Sequence, residues 1–150
     1  MGGRRLYFVD REKIEKLLAY YDHLIALFEQ TSEWNTQIEK AALERITHLL
    51  IEVFLDVGND MIDGFIMRDP GSYEDIIEIL HDEKVISAEM KVGLKRMISY
   101  RKILVQNYTE IPHRQLKEDF TAELPILKQL APRIRDYLHT QLGPVSAFKN

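Results

Sequence analysis

Residues 90–109, MKVGLKRMISYRKILVQNYT, decide how the chain is read. Apolar residues recur at Met90, Leu94, Met97 and Ile98, then at Leu104, Val105 and Tyr108, in the three- and four-residue steps that line one helical face. The segment also carries Lys91, Lys95, Arg96, Arg101 and Lys102 and no acid, inside a protein of formal net charge −4. Arg101 falls within the apolar stripe. A guanidinium cannot lose its proton to escape burial, so an arginine there needs a fixed anionic partner or marks a site.

The same periodicity extends in both directions. Asp10 is placed to cap a first helix with the stripe Ile14, Leu17, Leu18, Tyr21, Leu24, Ile25 and Phe28, ending near Thr31 and Ser32. Thr36 and Glu39 have capping-box spacing for a long second helix through Ile38, Ala42, Ile46, Leu49, Leu50, Val53, Val57 and Met61. Gly64 and the FIMRDPG that follows read as a loop, and Ser72 with Asp75 opens a short third helix, SYEDIIEIL. After the Val85-Ile86 linker, Ser87 caps the basic helix, which should stop between Thr109 and Pro112. From Arg114 to Leu142 a last stripe passes through Pro125 and Pro132, each of which should kink or split it, before Gly143-Pro144 ends it. No segment alternates with period two. The expected fold is therefore all-α: an up-and-down bundle of about five helices in one domain spanning 1–150.

Composition agrees with a folded core, since 45% hydrophobic and 29% charged residues lie far from disordered chains. The absence of Cys excludes disulfides and thiolate metal ligands and fits a reducing cytoplasm. No targeting segment is visible, and the most apolar run, 49–57, is interrupted by Glu52 and Asp56 and too short for a membrane. The acidic balance argues against unspecific nucleic-acid affinity, although a locally basic face can still hold a phosphate chain.

The second helix bears a polar line of Arg45, His48, Glu52, Asp56, Asn59 and Asp63 beside its apolar stripe. If it packs on the basic helix, Glu52 or Asp56 is the natural partner for Arg101, in a pair that fixes register or orients a site. Removing one member of a buried pair would cost about 3–5 kcal/mol. His48 with Glu52 offers ligand spacing on one helix, but two ligands are not a site, and no metal or cofactor is expected. His23, His81, His113 and His139 read as ordinary solvated histidines. Phosphate loops and nucleophile elbows are absent, which excludes those nucleotide-dependent and acyl-enzyme classes. Lys95, Arg96 and Lys102, interleaved with Tyr100 and Tyr108, suit either a phosphate-holding groove with stacking aromatics or a plain solvated face.

The run Tyr100-Arg101-Lys102-Ile103-Leu104-Val105-Gln106-Asn107-Tyr108 resembles the active-site motif of the HepT-like branch of the HEPN superfamily: Arg, four residues, His, one residue, Tyr. HLLIEVFLDVGNDMID in the second helix, the Pro turn before Ser72-Tyr73, and the Lys84-Val85-Ile86 link carry the likeness over most of the chain. The resemblance implies an all-α symmetric dimer, a metal-independent RNA-cleaving toxin with a nucleotidyltransferase-type antitoxin as partner. It assigns phosphate binding and transition-state stabilisation to Arg101, and makes Tyr108 the tyrosine that accepts AMP.

Gln106 stands where the motif has His, and Gln cannot exchange a proton near neutral pH. Pro112 separates His113 from that position, so His113 is not expected to replace it. Two readings stand. One is a HepT-like ribonuclease, intact or weakened, with Arg101, Gln106 and Tyr108 at a shared groove. The other is a non-catalytic dimeric module that binds RNA, a nucleotide or a nucleotidyltransferase.

Overall fold

Asp10 caps the first helix by accepting the Lys13 N–H, and α1 runs Arg11–Glu29 with Ile14, Leu18, Tyr21, Leu24, Ile25 and Phe28 buried. The computed structural model describes residues 7–31 and 33–143; Ser32 and Pro144, expected at helix ends, lie outside the described residues. The capping box is present at the start of α2, Gln37–Gly64, where Thr36 and Glu39 satisfy each other's backbone N–H. Ile38, assigned to the apolar stripe from its spacing, is instead 83% exposed. The first turn stands clear of the packed interior, which begins on this helix at Leu43.

Ser72 caps α3, Tyr73–Asp82. A left-handed turn at Lys84 then buries Val85 and Ile86 before Ser87 caps α4, Ala88–Ile98. The basic helix is not continuous. Ser99 turns its hydroxyl onto the Arg96 carbonyl at 2.6 Å, Tyr100 is drawn inward onto the Asp119 carboxylate, and a separate short α5, Arg101–Val105, follows. A 3₁₀ turn at Tyr108–Glu110 leads to α6, His113–Ala122. The two prolines split the last stripe into α6, α7 (Leu124–Leu127) and α8 (Leu130–Leu142). Each sits in a first turn, where its missing N–H breaks no helical bond. The five expected helices thus correspond to α1, α2, α3, α4 with α5, and α6 to α8, with no strand among the described residues.

α2 is the central element, packed by α1, α3, α5 and α6, while α4 lies against α3 and α7. Glycines allow two of these contacts to be close. A Cβ at Gly58 would sit 2.5 Å from Ile76 Cγ2 on α3, and one at Gly93 would sit 2.8 Å from Ile126 Cγ2 on α7. The Tyr21 hydroxyl donates to the Leu127 carbonyl at 2.8 Å and joins α1 to α7 inside the core. No helix among the described residues is long and apolar enough to cross a membrane. For function, the decisive contact is α5 on α2, which sets Arg101 against the polar border of the central helix.

Candidate functional site

Along α2, Glu44, His48, Glu52, Asp56 and Asp60 recur every four residues and form the charged border. Glu44 holds His113 at 2.5 Å, Glu52 holds Arg101, and Asp60 holds Lys13 at 3.1 Å. His113 is therefore half-buried and held against a carboxylate, not the solvated residue its turn context suggested. Sequence reading missed Glu44 because its line began at Arg45; counting back four from His48 finds it.

Arg101 pairs with Glu52 and not with Asp56. Its Nε donates to Oε2 at 2.9 Å and its Nη2 to Oε1 at 3.1 Å, a bidentate fork on one edge of the guanidinium. The Arg101 hydrogen bond holds the Glu52 carboxyl below its ordinary range, against partial burial, and the same bond raises Arg101. His48 Nε2 lies 3.6 Å from Glu52 Oε1 and is buried without a hydrogen-bond partner. Asp56, one turn on, is pushed up by desolvation and then by the carboxylates of Glu52 and Asp60.

Arg101 has five N–H donors, and Glu52 uses two. Nη1 meets no hydrogen-bond partner among the described residues, yet is not among the buried unpartnered atoms, so it opens to solvent. The guanidinium also lies over the ring of Tyr73, Cζ 4.2 Å from the ring centroid. Tyr73 came into the sequence reading only as part of a likeness, because a contact between α3 and α5 has no local spacing.

The remaining candidates disperse. Gln106 ends α5 and is exposed; Tyr108 is 64% exposed in the 3₁₀ turn; neither side chain is hydrogen-bonded among the described residues. Lys95 and Lys91 share Glu78 on α3 at 3.1 and 3.0 Å, and Arg96 donates to Glu123 at 2.8 Å. Lys102 is exposed and has no ion pair among the described residues. Tyr100 is buried with its hydroxyl engaged by Asp119, which removes it from the expected stacking aromatics. Among the described residues no three His, Asp or Glu side chains converge as metal ligands.

The described residues thus form an all-α bundle with a bidentate-anchored arginine at the start of a short helix, beside an exposed tyrosine in the turn that follows. The family description "Ribonuclease HepT-like" matches residues 11–134, and the chain belongs to that family. It is 54% identical over 144 residues to a Bacillus subtilis (strain 168) protein named "Putative RNase YutE", covering 96% of this chain and all of that one. The solved structure of Bacillus subtilis YutE, a cytosolic protein, superposes with a TM-score of 0.91 over 94% of this chain and 99% of that one. A toxin–antitoxin structure with AMP-PNP matches at TM-score 0.77 and 17% identity, covering 84% of this chain and 99% of that one. A tri-AMPylated Shewanella oneidensis HEPN toxin, in complex with its MNT antitoxin, matches at 0.74 and 18%, covering 82% and 96%. Both of these structures share the fold.

Proposed function

We propose that the chain is a single-domain, toxin-type, metal-independent ribonuclease of the HepT-like kind, or a catalytically weakened relative, acting as a homodimer with an RNA groove at the interface. The half-used guanidinium of Arg101 carries this reading. Glu52 fixes its orientation through Nε and Nη2, and the Nη1 side is left for an anion from outside the chain. Exposed Val105, one turn along α5, supplies apolar surface for a seam between copies.

In this reading the ribose 2′-oxygen bonds to the adjacent phosphorus and the P–O5′ bond breaks, while Arg101 neutralises charge on the non-bridging oxygens. The 2′-hydroxyl proton passes to a base and the 5′-oxygen gains one. Gln106 can hydrogen-bond a phosphate oxygen but takes no proton, so solvent carries the transfer, about 10²–10⁴ more slowly than a histidine would. Lys102, which has no ion pair among the described residues, is a cation available to neighbouring phosphates. Lys95 can leave its partly buried partner Glu78 for phosphate at modest cost, whereas Arg96 reaches phosphate only by giving up Glu123, whose side chain keeps just 14% of its surface. Tyr108, exposed, is the AMP acceptor for a nucleotidyltransferase-type antitoxin. The setting is the cytoplasm.

Gln106 favours a second reading: the same dimer retained for binding RNA, nucleotide or a nucleotidyltransferase without turnover. The test is incubation with single-stranded and transfer RNA in a chelator, with sedimentation equilibrium for the dimer. Cyclic-phosphate products lost in Arg101→Ala, with unchanged circular dichroism, sustain the enzyme. Salt-dependent binding without product leaves the second reading, and no RNA binding at all defeats the enzyme and the RNA-binding form of the second reading.

A further inference from the structure

Tyr73 is the first residue of α3, and its backbone is held by polar ties around it. Ser72 Oγ accepts the Asp75 N–H at 3.0 Å, Arg68 grips both Asp75 oxygens at 2.7 and 2.8 Å, and the Gly71 N–H donates to the same carboxylate at 2.9 Å. Arg68 first, then the Gly71 N–H, draws the Asp75 carboxyl down to about 2, so these ties persist at every physiological pH. The ring itself is otherwise used: the Arg101 guanidinium lies over it, Cζ 4.2 Å from the centroid, yet Tyr73 remains 47% exposed.

A fixed aromatic ring, partly open, touching a guanidinium with a free donor edge matches the two parts of a nucleotide that a protein can hold without reading sequence. Charged donors take the phosphate, and the ring takes the flat face of a base. We propose that Tyr73 is the stacking platform for an unpaired base of single-stranded RNA, beside the phosphate on Arg101. The assignment rests on the ribonuclease or RNA-binding reading above and adds substrate class: a flexible strand whose base is free to leave its stack, with little preference among bases. A paired base in a duplex cannot reach the ring.

Fluorescence anisotropy with a labelled single-stranded oligoribonucleotide, a duplex of the same sequence and an abasic copy tests it. Tyr73→Ala should weaken single-strand binding about 5- to 150-fold, with Tyr73→Phe and Tyr73→Trp staying near the parent. The abasic strand and the duplex should lose little. An equal loss for all three ligands would show that Tyr73 serves only to support Arg101, and unchanged single-strand affinity, or loss confined to a protein partner, would also overturn the assignment. If Arg101→Ala abolishes binding while Tyr73→Ala leaves it intact, this inference falls alone. RNA binding that is absent in the parent chain removes the underlying reading with it.

Discussion

Arg101 and Glu52 meet edge to edge, Nε to Oε2 at 2.9 Å and Nη2 to Oε1 at 3.1 Å, which joins α5 to α2 and leaves the Nη1 side of the guanidinium unspent. The two side chains keep 23% and 31% of their surface. That exposure lowers the expected loss in Glu52→Gln to about 1–2 kcal/mol, below the range for a fully buried pair. Equilibrium unfolding in urea reads the loss directly. An unchanged midpoint would mean that the pair orients Arg101 without stabilising the fold.

The acid dependence of stability should carry two opposed contributions from neighbouring turns of α2. Glu52 is depressed in the folded chain, so its contribution is present above the ordinary value of 4.5 and disappears as pH falls through the lowered value. Asp56 is raised from 3.8, so the fold is favoured while it is protonated and loses that advantage as pH rises through the raised value. Asp56→Asn should therefore raise Tm at pH 7, by the equivalent of about 0.5 kcal/mol, and give no gain at pH 3. Thermal melts across that range decide the matter. A loss at pH 7 would reveal a favourable role for the Asp56 charge.

Gln106→His should raise RNA cleavage by about 10²–10⁴-fold over the parent if the rest of the site is intact, because it supplies a group that titrates near neutrality. The gain should follow a bell-shaped or sigmoidal pH profile absent from the parent, and it should vanish in the double variant with Arg101→Ala. A histidine variant with parental activity would place the deficiency elsewhere in the site.

Helix ends were legible because each depends on residues three apart: Asp10, Thr36, Ser72 and Ser87 all cap as their spacing demands. Pro125 and Pro132 were equally plain. The break before Arg101 was not, since Ser99 and Tyr100 are ordinary helix residues and the cause is Asp119, on α6. The long-range partners of Lys95, Arg96 and His113 were hidden for the same reason. Arg101 could be narrowed to Glu52 or Asp56 from helix faces alone, but only packing chooses between them, and only packing brings Tyr73 beneath the guanidinium.

Gly58 offers a test in which the sign matters. In an exposed helix, Gly→Ala adds up to about 1 kcal/mol of stability through reduced chain entropy. Here the new methyl would stand 2.5 Å from Ile76 Cγ2 and 3.4 Å from Leu80 Cδ1, and a β-branched side chain on a packed helix has little room to yield. Gly58→Ala should lower Tm, and by forcing α3 outward it should disturb Tyr73 over Arg101. A rise in Tm would mean that α2 and α3 separate freely.

Tyr100→Phe probes the turn that sets Arg101 in place. Burial first, and then the Asp119 carboxylate, push the Tyr100 hydroxyl above the ordinary tyrosine range, so it stays protonated and donates throughout the neutral range. Removing that hydroxyl keeps the ring in its contact with Phe120 but leaves a half-buried carboxylate on α6 short of a donor. The expected loss is about 1–3 kcal/mol. Because Tyr100 immediately precedes α5, the same change should loosen Arg101 on Glu52, so the Glu52 carboxyl should titrate nearer its ordinary value in carbon-detected NMR. Lost stability with an unshifted Glu52 would show that α5 holds its position on α2 without the anchor from Tyr100.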